Sequence, residues 1–450
     1  MSGAAEAGPG SGPATGLPTP RTVERIYLGL LFGNTLAASL IWGINTIFLL
    51  DAGLTNFEAF AANAFFTAGM VVFEVPTGVV ADTAGRRRSY LLGTVTLSLS
   101  TLLYVLLWQV QASFWLWAVV SMLLGLGFTF FSGAVEAWLV DALQATGFDG
   151  DLDAVFGRGQ VVTGAAMLGG SAAGGFIASR SSLGVPFALR GLILLVLFAV
   201  AFRFMRDIGF TPEPRTGVLV QMRSIAVASA EYGWRVPPVR FLMLQALFTG
   251  GVAIYAFYAL QPYLLELYGD PEAYQVAGLV AAIVAGAQIV GGLAAPVVRR
   301  MFRRRTTALL TTGGVEVAAL ALIGLVDSFW AVLGLIVVWG LMYAAATPIR
   351  QSYLNGLIPS RQRATVLSFD SMMASLGGVG AQPALGRVAD VWGYGSSYVA
   401  SAGLTALSLP FVWLARRERD VGFQWCCVRW CWVRRCRCPR RRPVRSHRVG

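Results

Sequence analysis

Lysine is absent from this 450-residue chain, whose 35 basic residues are all Arg. Histidine occurs once, at His447, and the five cysteines, Cys426, Cys427, Cys431, Cys436 and Cys438, all fall within residues 421–450. Residues 1–420 therefore have no disulfide framework, no His proton relay and no Cys/His metal site. Charge is scarce as well: 13% of residues are Asp, Glu, Lys or Arg, against about 25% in a soluble domain. The net charge of +12 is misleading, because residues 421–450 carry nine Arg and no acid. The rest has 26 Arg against 23 acids, a net +3, so the basic balance is not a nucleic-acid signal. Catalytic clusters of His, Cys or acids are missing too. That argues against a membrane-embedded enzyme and implies no cofactor or metal. Residues 1–20 are Gly, Ala, Pro, Ser and Thr with the single acid Glu6. They read as a disordered lead without the apolar core of a cleavable signal peptide.

What the chain has instead is apolar length. Hydrophobic residues make up 56% of it, gathered into runs long enough to cross a bilayer core of about 30 Å. Twelve runs are predicted as helices, at 26–50, 57–78, 89–110, 114–141, 160–178, 186–205, 238–264, 275–298, 306–326, 329–352, 364–385 and 396–416. The fold class is an all-α integral membrane protein. Arg86, Arg87 and Arg88, the stretch Arg206 to Arg235, Arg299 to Arg305, Arg361 with Arg363, and Arg416, Arg417 and Arg419 share one side. By the positive-inside rule that side and both termini are cytoplasmic. Arg180, Arg190 and Arg387 are exceptions to the pattern. The loop 206–237 divides the spans six and six, giving halves at 21–205 and 238–420. It also holds a stretch, Val218 to Glu231, suited to a surface helix. Gly175, Ala178 and Phe187 match Gly386, Ala389 and Tyr398 at one constant offset, as a parallel repeat of six helices would give.

The sharpest local signal follows the second span: Gly78-Val79-Val80-Ala81-Asp82-Thr83-Ala84-Gly85-Arg86-Arg87-Arg88. It reads as a tight turn in which Gly78 lets helices approach and Gly85 permits the reversal. Asp82 suits a helix N-terminus, and the three Arg hold the loop inside. The stretch resembles the cytoplasmic signature called motif A of the major facilitator superfamily, and the preceding Phe73-Glu74-Val75-Pro76-Thr77 is typical of many bacterial members. The resemblance implies two six-helix bundles around a central cavity that opens to each side in turn. It also implies that Asp82 docks on the start of span 11 to lock the outward-facing state, and that Arg86 pairs with Asp141 at the inner end of span 4. The second-half counterpart, Gly292 to Arg300, lacks the Asp and the second Gly, so the gate is expected to be asymmetric.

Span 5 is similar to the motif C of drug antiporters in the same superfamily, aligned as Gly157, Ala166, Gly170-Ser171 and Gly174-Gly175. Ala166 replaces a Gly and Ser171 a Pro. Two readings stay open: an antiporter device, or small residues that allow close helix packing. Charges inside apolar spans are functional candidates by default. Glu136 is the leading coupling candidate, its alternative being a structural partner for an Arg near the rim, and Glu74 and Asp370 come next. Glu316 in span 9 is expected to pack against a neighbouring helix. Cavity candidates are Asn34 and Trp42 in span 1, Gln245, Tyr255 and Tyr258 with Gln261 in span 7, and Trp339, Tyr343 and Arg350 in span 10. An aromatic pocket with a few polar groups suits a small amphipathic molecule, although any one of these rings could be a packing or interface anchor.

Residues 421–450 contain no Ala, Leu or acid and read as a non-native end, with a basic membrane-surface anchor as the alternative. The expectation is a monomeric secondary transporter of the cytoplasmic membrane. It would move a small amphipathic molecule outward in exchange for protons, or inward in a proton- or cation-coupled variant of the same fold.

Overall fold

The structure, a computed structural model, describes residues 18–131, 133–212, 234, 236–358 and 363–433, with 363–365 and 419–433 as backbone alone. The expected lead through residue 17, the surface helix at 218–231 and the tail beyond 433 lie outside the described residues.

Thirteen helices account for nearly everything described. In the first half they are α1 (Pro20–Trp42), α2 (Asn45–Asp51), α3 (Asn56–Ala84), α4 (Arg86–Gln109), α5 (Phe114–Thr129), α6 (Ala134–Ala145), α7 (Leu152–Arg180) and α8 (Gly184–Phe204). In the second half they are α9 (Pro237–Tyr268), α10 (Tyr274–Met301), α11 (Arg305–Ile323), α12 (Phe329–Asn355) and α13 (Arg363–Val433). Among the described residues, 11 helices are long and apolar enough to span a bilayer. The last of these, Val366–Glu418, runs for 53 residues and breaks at Gly393, whose φ of 81° leaves the helical region. Its two arms are antiparallel. The same end of α12 reaches the start of the first arm through Arg350 and Asp370, and the end of the second arm through Tyr353 and the Ala415 carbonyl. Twelve spans result. Leu99, Val119, Val196, Leu279 and Leu322 stand exposed on these helices, as side chains facing lipid do.

The helix starts follow from local chemistry. Thr19 caps α1 ahead of Pro20, a residue preorganised for the first helical position. Thr55 and Glu58 form a reciprocal capping box at α3. Asp151 accepts from the Asp153 amide at the start of α7, so the acidic stretch 149–153 serves a helix N-terminus, where negative charge is favoured. That moves the start of span 5 from the expected residue 160 back to Leu152.

Two spans expected as single helices are interrupted. Span 1 breaks between α1 and α2, and span 4 breaks between α5 and α6, where Gly133 adopts a left-handed conformation with φ 71°. Backbone groups freed inside a bilayer must find other partners. At the first break Gln261 of α9 supplies them: its Nε2 donates to the Trp42 carbonyl and its Oε1 accepts from the Thr46 amide at 3.0 Å.

Each half has its own core. An aromatic knot of Phe48, Tyr104, Trp117 and Phe187 anchors the first, with Phe48 and Phe187 stacked at 3.9 Å. Tyr255, Tyr263, Trp339 and Tyr398 anchor the second. The matched glycines sit at equivalent contacts. Gly175 packs on Tyr274 and Gly278 at the start of α10, and Gly386 packs on Asn56 and Phe60 at the start of α3. Each half thus presses a glycine of its fifth span against the second span of the other.

Candidate functional site

Among the described residues, hydrogen bonds between the halves lie at mid-depth or on the side of residues 45–56, away from the Arg-rich loops. Asp390 at the end of the first arm of α13 accepts from the Asn56 amide through Oδ1 and the Phe57 amide through Oδ2, both at 2.9 Å. Tyr394 donates to the Asn56 side chain, Gln261 bridges the break in span 1, and Gln382 reaches Thr67 at 3.3 Å. On the Arg-rich side the described ion pairs stay within one half: Arg86 with Asp82 and Asp141, Arg158 with Glu24, and Arg350 with Asp370. One mouth is closed by bonds between the halves, and among the described residues no such bond crosses the other.

Between the halves, below that seal, lies a cavity of ≈ 470 Å³. Trp42, Tyr258, Trp339 and Tyr343 line it as the sequence suggested. Trp339 and Tyr343 stack at 5.7 Å with an interplanar angle of 16°. Its polar lining includes Asn45, Asn63, Thr67, Gln288 and Arg190. Asn45 donates to Asn63 at 3.1 Å, which leaves the Asn63 Nδ2 donor without an acceptor. A larger hollow of ≈ 800 Å³, bordered by Phe57, Trp115, Pro383 and Arg387, is built from other residues and contains none of the candidates.

Five expected cavity residues are elsewhere, Gln261 among them at the break in span 1. Tyr255 is fully buried and donates to Ser397 at 2.6 Å. Arg350 makes a forked pair with Asp370, at 2.7 and 2.6 Å, and donates to Gln245 at 3.1 Å and to the Leu242 carbonyl. That cluster accounts for Gln245, Arg350 and Asp370 together, and it ties α9, α12 and α13 near the Arg-rich side. Asn34 is half-buried on α1 and outside the cavity lining. For Tyr255, Gln245 and Arg350 the physical reason is that each polar group found a partner within its own half.

The other candidates spread out. Glu136 is exposed in the first turn of α6, where a helix N-terminus favours an acid. Glu74 is exposed on α3. Glu316 is buried on α11 and makes no hydrogen bond or ion pair among the described residues. In the motif loop Gly85 is the single residue between α3 and α4, with φ 109°. A Cβ there would strike the carboxylate of Asp207, which accepts from the Arg87 amide at 2.8 Å and caps α4. Asp207 was not anticipated; an acid just beyond a span, facing the start of another helix, was its only signal. Arg86 binds Asp82, lies 3.9 Å from Asp141 and stands over Phe210. Gly78 is exposed, and a Cβ would meet nothing there, so it makes no close helix approach in this state. On α7, Gly170 and Gly174 press on Ser39 and Leu40 of α1, whereas Gly157 is exposed and open.

Two pseudo-equivalent helical halves around a central cavity, sealed on one side, define an alternating-access membrane carrier. The sequence profile of the Major Facilitator Superfamily matches residues 27–319 and 289–424, and the chain belongs to that family. No curated protein matches it in sequence. Among solved structures it is similar to the nucleoside transporter NupG, with TM-score 0.70 and 11% identity over 87% of this chain and 98% of that one. It is also similar to a bacterial homolog of the human lysosomal transporter Spinster in an inward-facing, unoccupied conformation, with TM-score 0.68, 15% identity, and coverage of 89% and 97%. The POT family transporter PepTSo gives TM-score 0.68 and 14% identity, with coverage of 90% and 99%.

Proposed function

We propose that this protein exports a small amphipathic organic molecule across the cytoplasmic membrane by alternating access, driven by proton antiport. The observation that carries the reading is the ≈ 470 Å³ aromatic cavity between the halves, latched among the described residues on one side only. With the Arg-rich loops in the cytoplasm, the latched side is external and the state is inward-facing. In this reading motif A is in its released form, supported by the pairing of Asp82 with Arg86. The match of span 5 to motif C suits antiport, and Glu136, exposed in the first turn of α6, is the coupling residue in this reading.

The test is transport by purified protein in proteoliposomes under an imposed pH gradient, with a panel of amphipathic compounds chosen from a growth screen of a strain lacking its own exporters. Proton-driven accumulation in inside-out vesicles is the expected result. Accumulation only in right-side-out vesicles would make the carrier an importer.

A further inference from the structure

Among the described residues, Arg190 is the charged residue in the cavity lining and no acid lines it. It is the seventh residue of α8, roughly 9 Å along the helix from its start at Gly184, between the apolar neighbours Leu189 and Gly191. A charge at such depth is costly and ordinarily pairs with an acid or with backbone carbonyls. Arg190 does neither: it has no hydrogen bond or ion pair among the described residues, and its Nε is buried without an acceptor. Arg350, inside a span of the second half, is by contrast fully answered by Asp370, Gln245 and Leu242. The titratable groups within electrostatic reach of Arg190 are the phenols of Tyr104 and Tyr258, which are neutral at physiological pH. Asn63, in the same lining, also holds out an unanswered donor, Nδ2.

We infer that Arg190 is the substrate-recognition residue, and that the substrate class is an organic anion with one carboxylate-like head and an aromatic or apolar body. The guanidinium offers forked donors that match a carboxylate geometrically. The body fits against Trp42, Trp339 and Tyr343, which provide apolar surface and no compensating charge. Tyr258 belongs to α9 and Arg190 to α8, so an anion bound at Arg190 touches groups from both halves. A cationic amphiphile would meet an uncompensated positive charge and no acid, which works against it. Arg190 was visible in the sequence only as an exception to the charge asymmetry of the loops.

The inference rests on the transport reading, and the two can fail separately. Protein in lipid nanodiscs would be titrated calorimetrically with three bodies (phenylbutyl, naphthylmethyl and octyl), each carrying a carboxylate, an alcohol or an amine. We expect the carboxylate to bind about ten- to a hundredfold more tightly than the alcohol of the same body, the worth of a charge-assisted hydrogen bond. Arg190→Gln should remove that difference while the alcohols bind unchanged. If the variant does not fold, the wild-type series decides alone. Alcohol or amine binding as tight as carboxylate for every body, or no carboxylate binding at all, would overturn the inference, as would an anion preference that survives in Arg190→Gln. Carboxylates that bind at Arg190 but never cross the proteoliposome membrane would sink the transport reading and leave this one standing. Carriage of neutral or cationic compounds without anion binding would do the reverse.

Discussion

Asp390 spans the closed mouth, and its two carboxylate oxygens accept from the first two amides of α3. Helix N-terminal amides lack partners within their own helix, so this acid acts as a cap supplied by the other half. Loss of a cap costs about 0.5–2 kcal/mol, and in the proposed orientation the loss falls on the state closed outside. Asp390→Ala should therefore shift the population towards external opening, roughly fivefold for each kcal/mol. The absence of Cys from residues 1–420 makes this measurable. A tail-deleted protein carrying Ala253→Cys in the cavity wall should react faster with an impermeant thiol reagent from outside when Asp390 is Ala. Asp82→Asn should move the same reporter the other way, because it removes the proposed lock of the outward-facing state. An unchanged labelling rate in both variants would dismiss both gates.

Coupling is argued at the same scale. Asp370 is committed to Arg350, and removing one partner of a buried pair typically costs about 3–5 kcal/mol. Asp370→Asn is accordingly expected to lower thermal stability before it alters coupling. Glu136 and Glu74 remain, together with the buried Glu316. Glu136→Gln should abolish uphill, gradient-driven transport while preserving substrate binding and downhill exchange, and Glu316→Gln is its comparison. If Glu136→Gln still concentrates substrate with normal pH dependence, coupling passes to Glu316. If neither substitution has an effect, Glu74→Gln is tested next; absence of all uphill transport with downhill exchange intact in the wild type itself is the result that would make the carrier a uniporter.

Among elements, α7 makes close approaches both within its half and to the other half. A Cβ on Gly174 would strike the Leu40 carbonyl, and one on Gly175 the Tyr274 carbonyl and, at 2.7 Å, the Cα of Gly278. These are backbone obstacles that cannot rotate away. Gly174→Val acts within one half and should destabilise the fold by about 1–3 kcal/mol, the usual cost of overpacking, seen as a lower melting temperature in detergent. Gly175→Val acts between halves. It should leave melting closer to wild type but prevent external closure, which the Ala253→Cys reporter would register. Gly157→Ala, at an open position, should change neither. Equal effects at all three positions would mean that the glycine pattern of span 5 is one packing stripe with no division of labour.

For the whole molecule, the arginine asymmetry predicts a cytoplasmic location for both ends. Reporter fusions after residue 20 and after residue 420 should each report the cytoplasm, and an external signal from either would break the twelve-span count. Span 12 does not stop at Arg416, as its apolar run suggested: the helix runs on to Val433. Deletion of 421–450 is still expected to leave expression and transport unchanged, since Val412 and Ala415, upstream of the deletion, pack that arm into the body.

Length and hydropathy made the twelve spans, their six-plus-six division and the Arg-rich side legible in the sequence, because the bilayer imposes a minimum apolar length and the loops carry the charge. The turn at Gly85 was legible for a similar local reason: a one-residue link between two helices needs a positive φ. The cavity wall was not. In water a helix shows which face is buried by its apolar stripe, but lipid is as apolar as a core, so Tyr255 and Tyr258 look alike on span 7. Only packing decides that Tyr255 turns to Ser397 within its own half while Tyr258 faces the cavity. The same holds for charge. Arg350 and Arg190 are both arginines inside apolar spans, and nothing near either in sequence separates them. Tertiary structure brings Asp370 and Gln245 to Arg350 and brings no acid to Arg190, and that difference alone turns one into a structural clamp and the other into a candidate binding group.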